Sequence, residues 1–292
     1  MALLPRNPTG RSSVRRSTTA LTALILLIGL ALAGCGSARP TGGRAGPPSP
    51  AVSPGAVLTS SPGGLVLGPT GSGELNHKVV AIDPGHNGLN YAYPNVINQL
   101  VWNGREYETC DTTGTATNAG YTEALFNWNV AWDVSRLERV LGATVVLTRP
   151  NNSGVGPCVT TRAAIGNAAH ANVFIDIHAD GGPPGGVGFT VLYPVADGPN
   201  NAVIYPSEIL ATQARDLFRA YTGEPFSNYD GVNALQPRNN LAGLNLTTVP
   251  KVLIETANMR NATDAGRVSS AVWQERAAQG IAAGLDRFLT GR

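Results

Sequence analysis

Beyond residue 77 the chain alternates between two hydrophobic periods. Short apolar, β-branched runs at Lys78–Asp83, Ala143–Thr148, Val173–His178, Gly188–Tyr193 and Lys251–Glu255 predict strands. Longer stretches with apolar residues at helical spacing predict helices over Thr122–Leu141, Thr160–Ala169, Ser207–Tyr221 and Ser269–Leu289. In the first of these, Val130, Val134, Leu137 and Leu141 form one stripe. Strand and helix in alternation predict an α/β fold: a single domain with a mainly parallel twisted sheet and helices on both faces. Right-handed crossovers then bring the strand ends to one edge. Two segments, Asn87–Gly120 and Gly223–Val249, carry neither period. Connections this long in a compact domain are usually functional lids or substrate-binding walls.

The pattern ahead of residue 77 is different. Residues 1–35 hold Arg6, Arg11, Arg15 and Arg16 and no acid, followed by an apolar run from Ala23 to Ala33 that ends at Gly34-Cys35. A basic start, an apolar middle and small residues at the end make a signal peptide. The apolar run falls short of the about 20 residues that span a membrane. Leu32-Ala33-Gly34-Cys35 also resembles the lipobox of bacterial lipoproteins, which implies lipidation at Cys35 and an anchor on the outer face of the cell membrane. Secretion with cleavage nearby, into the periplasm or beyond, is the plainer alternative. Residues 36–75 are rich in Gly, Pro, Ser, Ala and Thr and are expected to form a tether. The folded domain should run from about 76 to 292.

Composition adds two constraints. Of 292 residues, 42% are apolar and 14% charged, enough for an ordinary core. Without residues 1–35, 17 basic side chains face 19 acidic ones, and no basic cluster marks a nucleic-acid partner. With Cys35 assigned to the lipobox, Cys110 and Cys158 remain, in a compartment that permits disulfides. A bond between them is expected to stabilise the fold by about 4 kcal/mol. Free thiols or soft metal ligands are the alternatives, although neither cysteine has a Cys or His at ligand spacing.

The candidate chemistry lies where the strands end. Val79-Val80-Ala81-Ile82-Asp83 breaks at Pro84-Gly85 and presents His86, and Val173-Phe174-Ile175-Asp176-Ile177 releases His178 before Ala179-Asp180-Gly181-Gly182. One strand-end histidine is more often structural than functional. Glu123, seven residues before Val130, points the same way as the apolar stripe, and a buried carboxylate needs a partner. Two such histidines and one inward glutamate make the His₂Glu set of a catalytic zinc site. Glu255 ends the run Pro250-Lys251-Val252-Leu253-Ile254 and is placed to act as acid and base beside it. His77 and His170 read as surface residues.

These blocks, Ala81 to Gly88, Glu123, Ile177 to Asp180 and Val252 to Glu255, resemble the signature blocks of the zinc-dependent N-acetylmuramoyl-L-alanine amidases of the type-3 family. Leu147-Thr148-Arg149 and Arg162 through Asn167 fit as well. The resemblance spans the folded region and is closest to small single-domain actinobacterial members. It implies a phosphorylase/hydrolase-like fold, Zn²⁺ held by His86, Glu123 and His178, and Glu255 as the catalytic residue. The implied substrate is peptidoglycan or a muropeptide, cut between the muramic acid and L-alanine. The implied protein is a monomer that meets the membrane through a lipid anchor only. Ala257-Asn258 stands where the family has Gly-Phe, Arg260 where a Ser is usual and Asp180 where an Asn is frequent, so the peptide side of the pocket is where this chain departs. Another zinc peptidase or deacetylase of the envelope, or a non-catalytic lipoprotein that binds wall fragments, is the rival reading.

Overall fold

The computed structural model describes residues 64–292. The expected signal segment, Cys35 and residues 36–63 of the expected tether lie outside the described residues. The strands are β1 Leu65–Leu67, β2 Val79–Pro84, β3 Leu100–Trp102, β4 Tyr107–Thr109, β5 Thr144–Leu147, β6 Val173–Asp180, β7 Thr190–Pro194, β8 Leu235–Arg238 and β9 Lys251–Asn258. The helices are α1 Pro94–Ile97, α2 Glu123–Val140, α3 Val159–Ala168, α4 Ile204–Thr222, α5 Ala242–Asn245, α6 Ala262–Val268 and α7 Ala271–Thr290.

Seven strands form one sheet in the order β1-β5-β2-β6-β9-β7-β8. The pairs β5/β2, β2/β6, β6/β9 and β7/β8 are parallel, whereas β1/β5 and β7/β9 are antiparallel. The two faces of this sheet have different chemistry, because successive side chains on a strand point to opposite sides. Val80 and Ile82 of β2, Val173, Ile175 and Ile177 of β6, and Val252 and Ile254 of β9 all face α2, α4 and α7 in one apolar core. The intervening positions read Ala81 and Asp83, then Phe174, Asp176 and His178, then Lys251, Leu253 and Glu255. Register sets Asp83 beside Asp176 and His178 beside Glu255. Helices α3 and α5 cover the start of this second face through small apolar contacts, with Phe174 among Ala81, Ala171 and Val249, and Leu244 against Leu192 and Leu253. Its far end stays polar.

Several expectations need correction. Residues 64–75 are part of the fold rather than tether: β1 pairs with β5, and Leu65, Leu67 and Leu75 are buried. Three leucines among Gly and Pro are too few for a periodic signal, but they suffice to cover the edge of an existing sheet. β6 and β9 run on to Asp180 and Asn258, so His178 and Glu255 lie inside their strands and not at the ends. The segment Asn87–Gly120 holds α1 and the β3–β4 hairpin, and Gly223–Val249 holds β8 and α5. Pro237 in β8 hid that strand, although proline is tolerated at the edge position β8 occupies. A separate helix α6, capped by Asn261 accepting from Thr263 N (2.9 Å) and Asp264 N (3.3 Å), precedes α7.

Because Leu67 is wholly buried, Leu67→Ala should lower the unfolding free energy by about 3 kcal/mol in a denaturant titration. A change near zero would return residues 64–75 to the tether.

Candidate metal centre

Pro84 ends β2, and Gly85 lets the chain pass directly against the His178 ring. A Cβ built at Gly85 would lie 2.2 Å from that ring, so only glycine fits. The next residue, His86, adopts φ +60°, a left-handed conformation uncommon for a side chain of its size. The surroundings impose it: Arg162 Nη2 donates to the His86 carbonyl at 2.8 Å, and Arg149 Nε donates to the Pro84 carbonyl at 2.7 Å. Gly114, at φ +71°, gives the opposite wall, where a Cβ would sit 2.8 Å from the His86 ring.

Glu123 is the first residue of α2, whose N-terminus favours a negative charge. Its carboxylate accepts from the backbone N–H groups of Thr115 (2.9 Å) and Ala179 (3.3 Å). The free edge of Oε1 faces His86 Nε2 at 3.2 Å and His178 Nδ1 at 2.8 Å. The two rings meet edge to face, with centroids 4.8 Å apart. One nitrogen or oxygen from each of His86, Glu123 and His178 lies within 4.8 Å of the others. The three predicted ligands therefore come together, and His77 and His170 are exposed as expected.

Each imidazole is oriented from behind by a carboxylate that the sequence reading did not single out. His86 Nδ1 lies 3.1 Å from Asp111 Oδ1 and 3.1 Å from the Thr112 carbonyl, which leaves Nε2 for the centre. His178 Nε2 lies 3.3 Å from Asp176 Oδ1, which leaves Nδ1. Second carboxylates of this kind fix the tautomer and ring plane of a ligating histidine. Arg162, bonded to Asp83 at 2.6 Å and Asp111 at 3.3 Å, and Lys251, 3.5 Å from Asp176 Oδ2, hold those acids in turn. Cys110 and Cys158 form the expected disulfide, with Cα atoms 4.5 Å apart. Cys110 adjoins Asp111, and Cys158 is the N-cap of α3, which carries Arg162. The bond thus fastens Asp111 to its guanidinium.

Electrostatics agree with a cation-binding centre. Burial works against charge on His86, yet Glu123 and Asp111 push its pKa up to about 9. Burial also disfavours the Glu123 carboxylate, but His86 and His178 hold it well below the usual range. A divalent ion bound here replaces those protons. The donor chemistry fits one: three donors converge, a carboxylate stands behind each imidazole, and one side opens on the cavity.

Glu255 lies beside this set. It lines the same cavity, of about 370 Å³, as His86, Glu123 and His178. Its Oε2 is buried without a hydrogen-bond partner. Burial, opposed by His178 and reinforced by Glu123 and Asp180, pushes its carboxyl up to about 8. Asp180 and Gly181 line the cavity as well, and Asn258 is turned away to donate to the Pro183 (2.8 Å) and Gly186 (2.9 Å) carbonyls. Arg260 reaches the Ala116 carbonyl at 3.1 Å. Of the family differences noted above, only Asp180 touches the cavity.

A mixed sheet with a histidine–glutamate–histidine donor set at its polar end defines an α/β protein with a candidate metal site. The chain belongs to the N-acetylmuramoyl-L-alanine amidase family, whose model matches residues 80–287. It is 40% identical over 213 residues to the N-acetylmuramoyl-L-alanine amidase Rv3717 of Mycobacterium tuberculosis, covering 72% of this chain and 86% of that protein. The crystal structure of the N-acetylmuramyl-L-alanine amidase Ami1 from Mycobacterium smegmatis superposes with a TM-score of 0.70 at 39% identity, over 75% of this chain and 99% of the other. The catalytic domain of CwlV from Paenibacillus polymyxa var. colistinus shares the fold, with a TM-score of 0.56 at 24% identity over 74% and 99% of the two chains.

Asp111→Asn should weaken metal binding by about 10- to 100-fold in competition with a chromophoric chelator. An unchanged affinity would separate Asp111 from the centre.

Proposed function

We propose that this protein is a zinc-dependent amidase that hydrolyses the bond between N-acetylmuramic acid and L-alanine in peptidoglycan or muropeptides. The observation that carries the reading is Glu255: a buried carboxyl with an unpartnered oxygen, in one cavity with the His86, Glu123 and His178 donor set. The name of the relative at 40% identity supports the choice of amide.

His86 Nε2, Glu123 and His178 Nδ1 would hold the ion. When bound, it supplies Lewis-acid polarisation of the water and of the scissile carbonyl. Asp111 and Asp176 keep both imidazoles in the tautomer that presents the lone pair. Glu255 takes the proton of the attacking water at its free oxygen and delivers it to the amide nitrogen, which leaves as an amine. Its raised pKa suits both halves of this task, since a group titrating near the working pH can accept and release a proton. The products are a muramoyl carboxylate and a stem peptide with a free N-terminal amine.

For the exported part of the chain, the reading is a lipoprotein. The basic start, the apolar run and Leu32-Ala33-Gly34-Cys35 support cleavage before Cys35 and acylation of it. The tether then gives the catalytic domain reach from the membrane.

Glu255→Gln should keep stoichiometric zinc by elemental analysis, while release of intact stem peptides from sacculi, read by mass spectrometry, falls by about 10²- to 10⁴-fold. Turnover at wild-type rate would remove Glu255 from the chemistry, and glycan deacetylation or cleavage inside the peptide would replace the amidase reading with its rivals. Metabolic fatty-acid labelling should mark the wild-type protein and not Cys35→Ser. Labelling of both would move the anchor elsewhere.

A further inference from the structure

Acidic side chains recur along the cavity wall, among them Glu108, Asp111, Glu123, Asp176, Asp180 and Glu255. Two arginines also line it. Arg162 is committed to Asp83 and Asp111. Arg238, the last residue of the edge strand β8, is held differently. Its Nε donates to Asn240 Oδ1 at 2.8 Å, and its Nη1 donates to Gln236 Oε1 at 3.2 Å. Gln236 is itself tied to Asp230 through its side-chain amide. Neutral amide oxygens thus orient the guanidinium without cancelling its charge. Among the described residues it forms no ion pair, and it is half-buried at the cavity wall. Leu192, Leu241 and Leu244 line the same part of the cavity and supply an apolar strip beside it.

A guanidinium prepared in this way is a receptor for a planar anion, which it can grip through two parallel N–H donors. Phosphate or sulfate would meet the surrounding carboxylates with more charge. A single carboxylate on a flexible peptide meets them with the least. Building on the amidase reading, we propose that Arg238 anchors a free carboxylate on the residue that follows the alanine, so the cavity selects acidic stem peptides over amidated ones. The acidic groups sharpen this choice, because a carboxylate that misses Arg238 meets carboxylates or leucines and, among the described residues lining the cavity, no other uncommitted cation. Glu108, which accepts from Ala242 N at 2.8 Å, joins the β3–β4 hairpin to α5, and both residues line the cavity with Arg238.

The test compares the γ-amide of N-acetylmuramoyl-L-alanyl-D-glutamate, an acid with one free carboxylate on the residue after the alanine, with the diamide of the same compound. The wild type should cleave the acid with kcat/KM about tenfold or more above the diamide. Arg238→Gln should bring that ratio close to one, with the loss carried by KM of the acidic substrate, and Arg238→Lys should restore part of it. Thermal melts of the variants separate this from misfolding. A wild type with no preference, or Arg238→Gln with the full preference, overturns the anchor. Cleavage of neither compound by the wild type sinks the amidase reading instead. Calorimetry with L-alanyl-D-glutamate then decides the anchor by itself: binding about tenfold weaker in Arg238→Gln sustains it, and equal binding removes it.

Discussion

Four carboxylates, those of Asp83, Asp111, Glu123 and Asp176, are buried within one small volume at the end of the sheet, and the fold there is organised around neutralising them. An isolated buried charge costs many kcal/mol, so each needs a partner. Arg162 and Lys251, themselves buried, are the fixed cations in ion-pair contact with them. Arg149 lies close by but bonds to carbonyls and an amide and not to an acid. With both imidazoles neutral, the contact group has an excess negative charge of about two, which one divalent cation balances. Without such an ion, protons on His86 and His178 serve instead, and this is the physical sense of their raised pKa values.

Alternation along three parallel strands makes this concentration of charge compatible with a stable domain. Odd and even positions of β2, β6 and β9 divide between an aliphatic layer under α2, α4 and α7 and a second layer that holds Ala81, Phe174 and Leu253 and ends in polar groups at the cavity. The apolar face gives the driving force, through burial of branched side chains on a sheet with helices packed over it. The other face can then carry ionisable groups at fixed separations set by strand register. Lys251 shows the transition: its ammonium lies 3.8 Å from the Phe174 ring centroid, at the boundary between the two kinds of packing.

The parts legible in the sequence were those with local signals. Five central strands, the four long helices and the three converging donors each sit in a periodic stretch or at its break, and family resemblance joined them. The parts that escaped depend on contacts across the chain. Asp111 follows a cysteine in a stretch with no period, so only the fold brings it to His86. Asp176 lay in plain view, but Val173 to Ile177 read as one apolar run, which hid that every second side chain faces the polar layer. β1 and the β3–β4 hairpin are three-residue strands, too short for any alternation to register. Glu255 shares the cavity with the donors, while Asp180 gains meaning only from the cavity it lines.

The bridge between Cys110 and Cys158 links the lining of the centre to the history of the chain. Apart from that bridge, the loop bearing Asp111 is joined to α3 by the bond from Val159 N to the Cys110 carbonyl at 2.8 Å and by Arg162 Nη2, 3.3 Å from Asp111 Oδ2. Oxidation closes that loop and sets the brace behind His86. In reducing surroundings the two sulfurs part and that brace rests on non-covalent contacts alone, so the setting of the His86 ring is coupled to the redox conditions in which the chain folds.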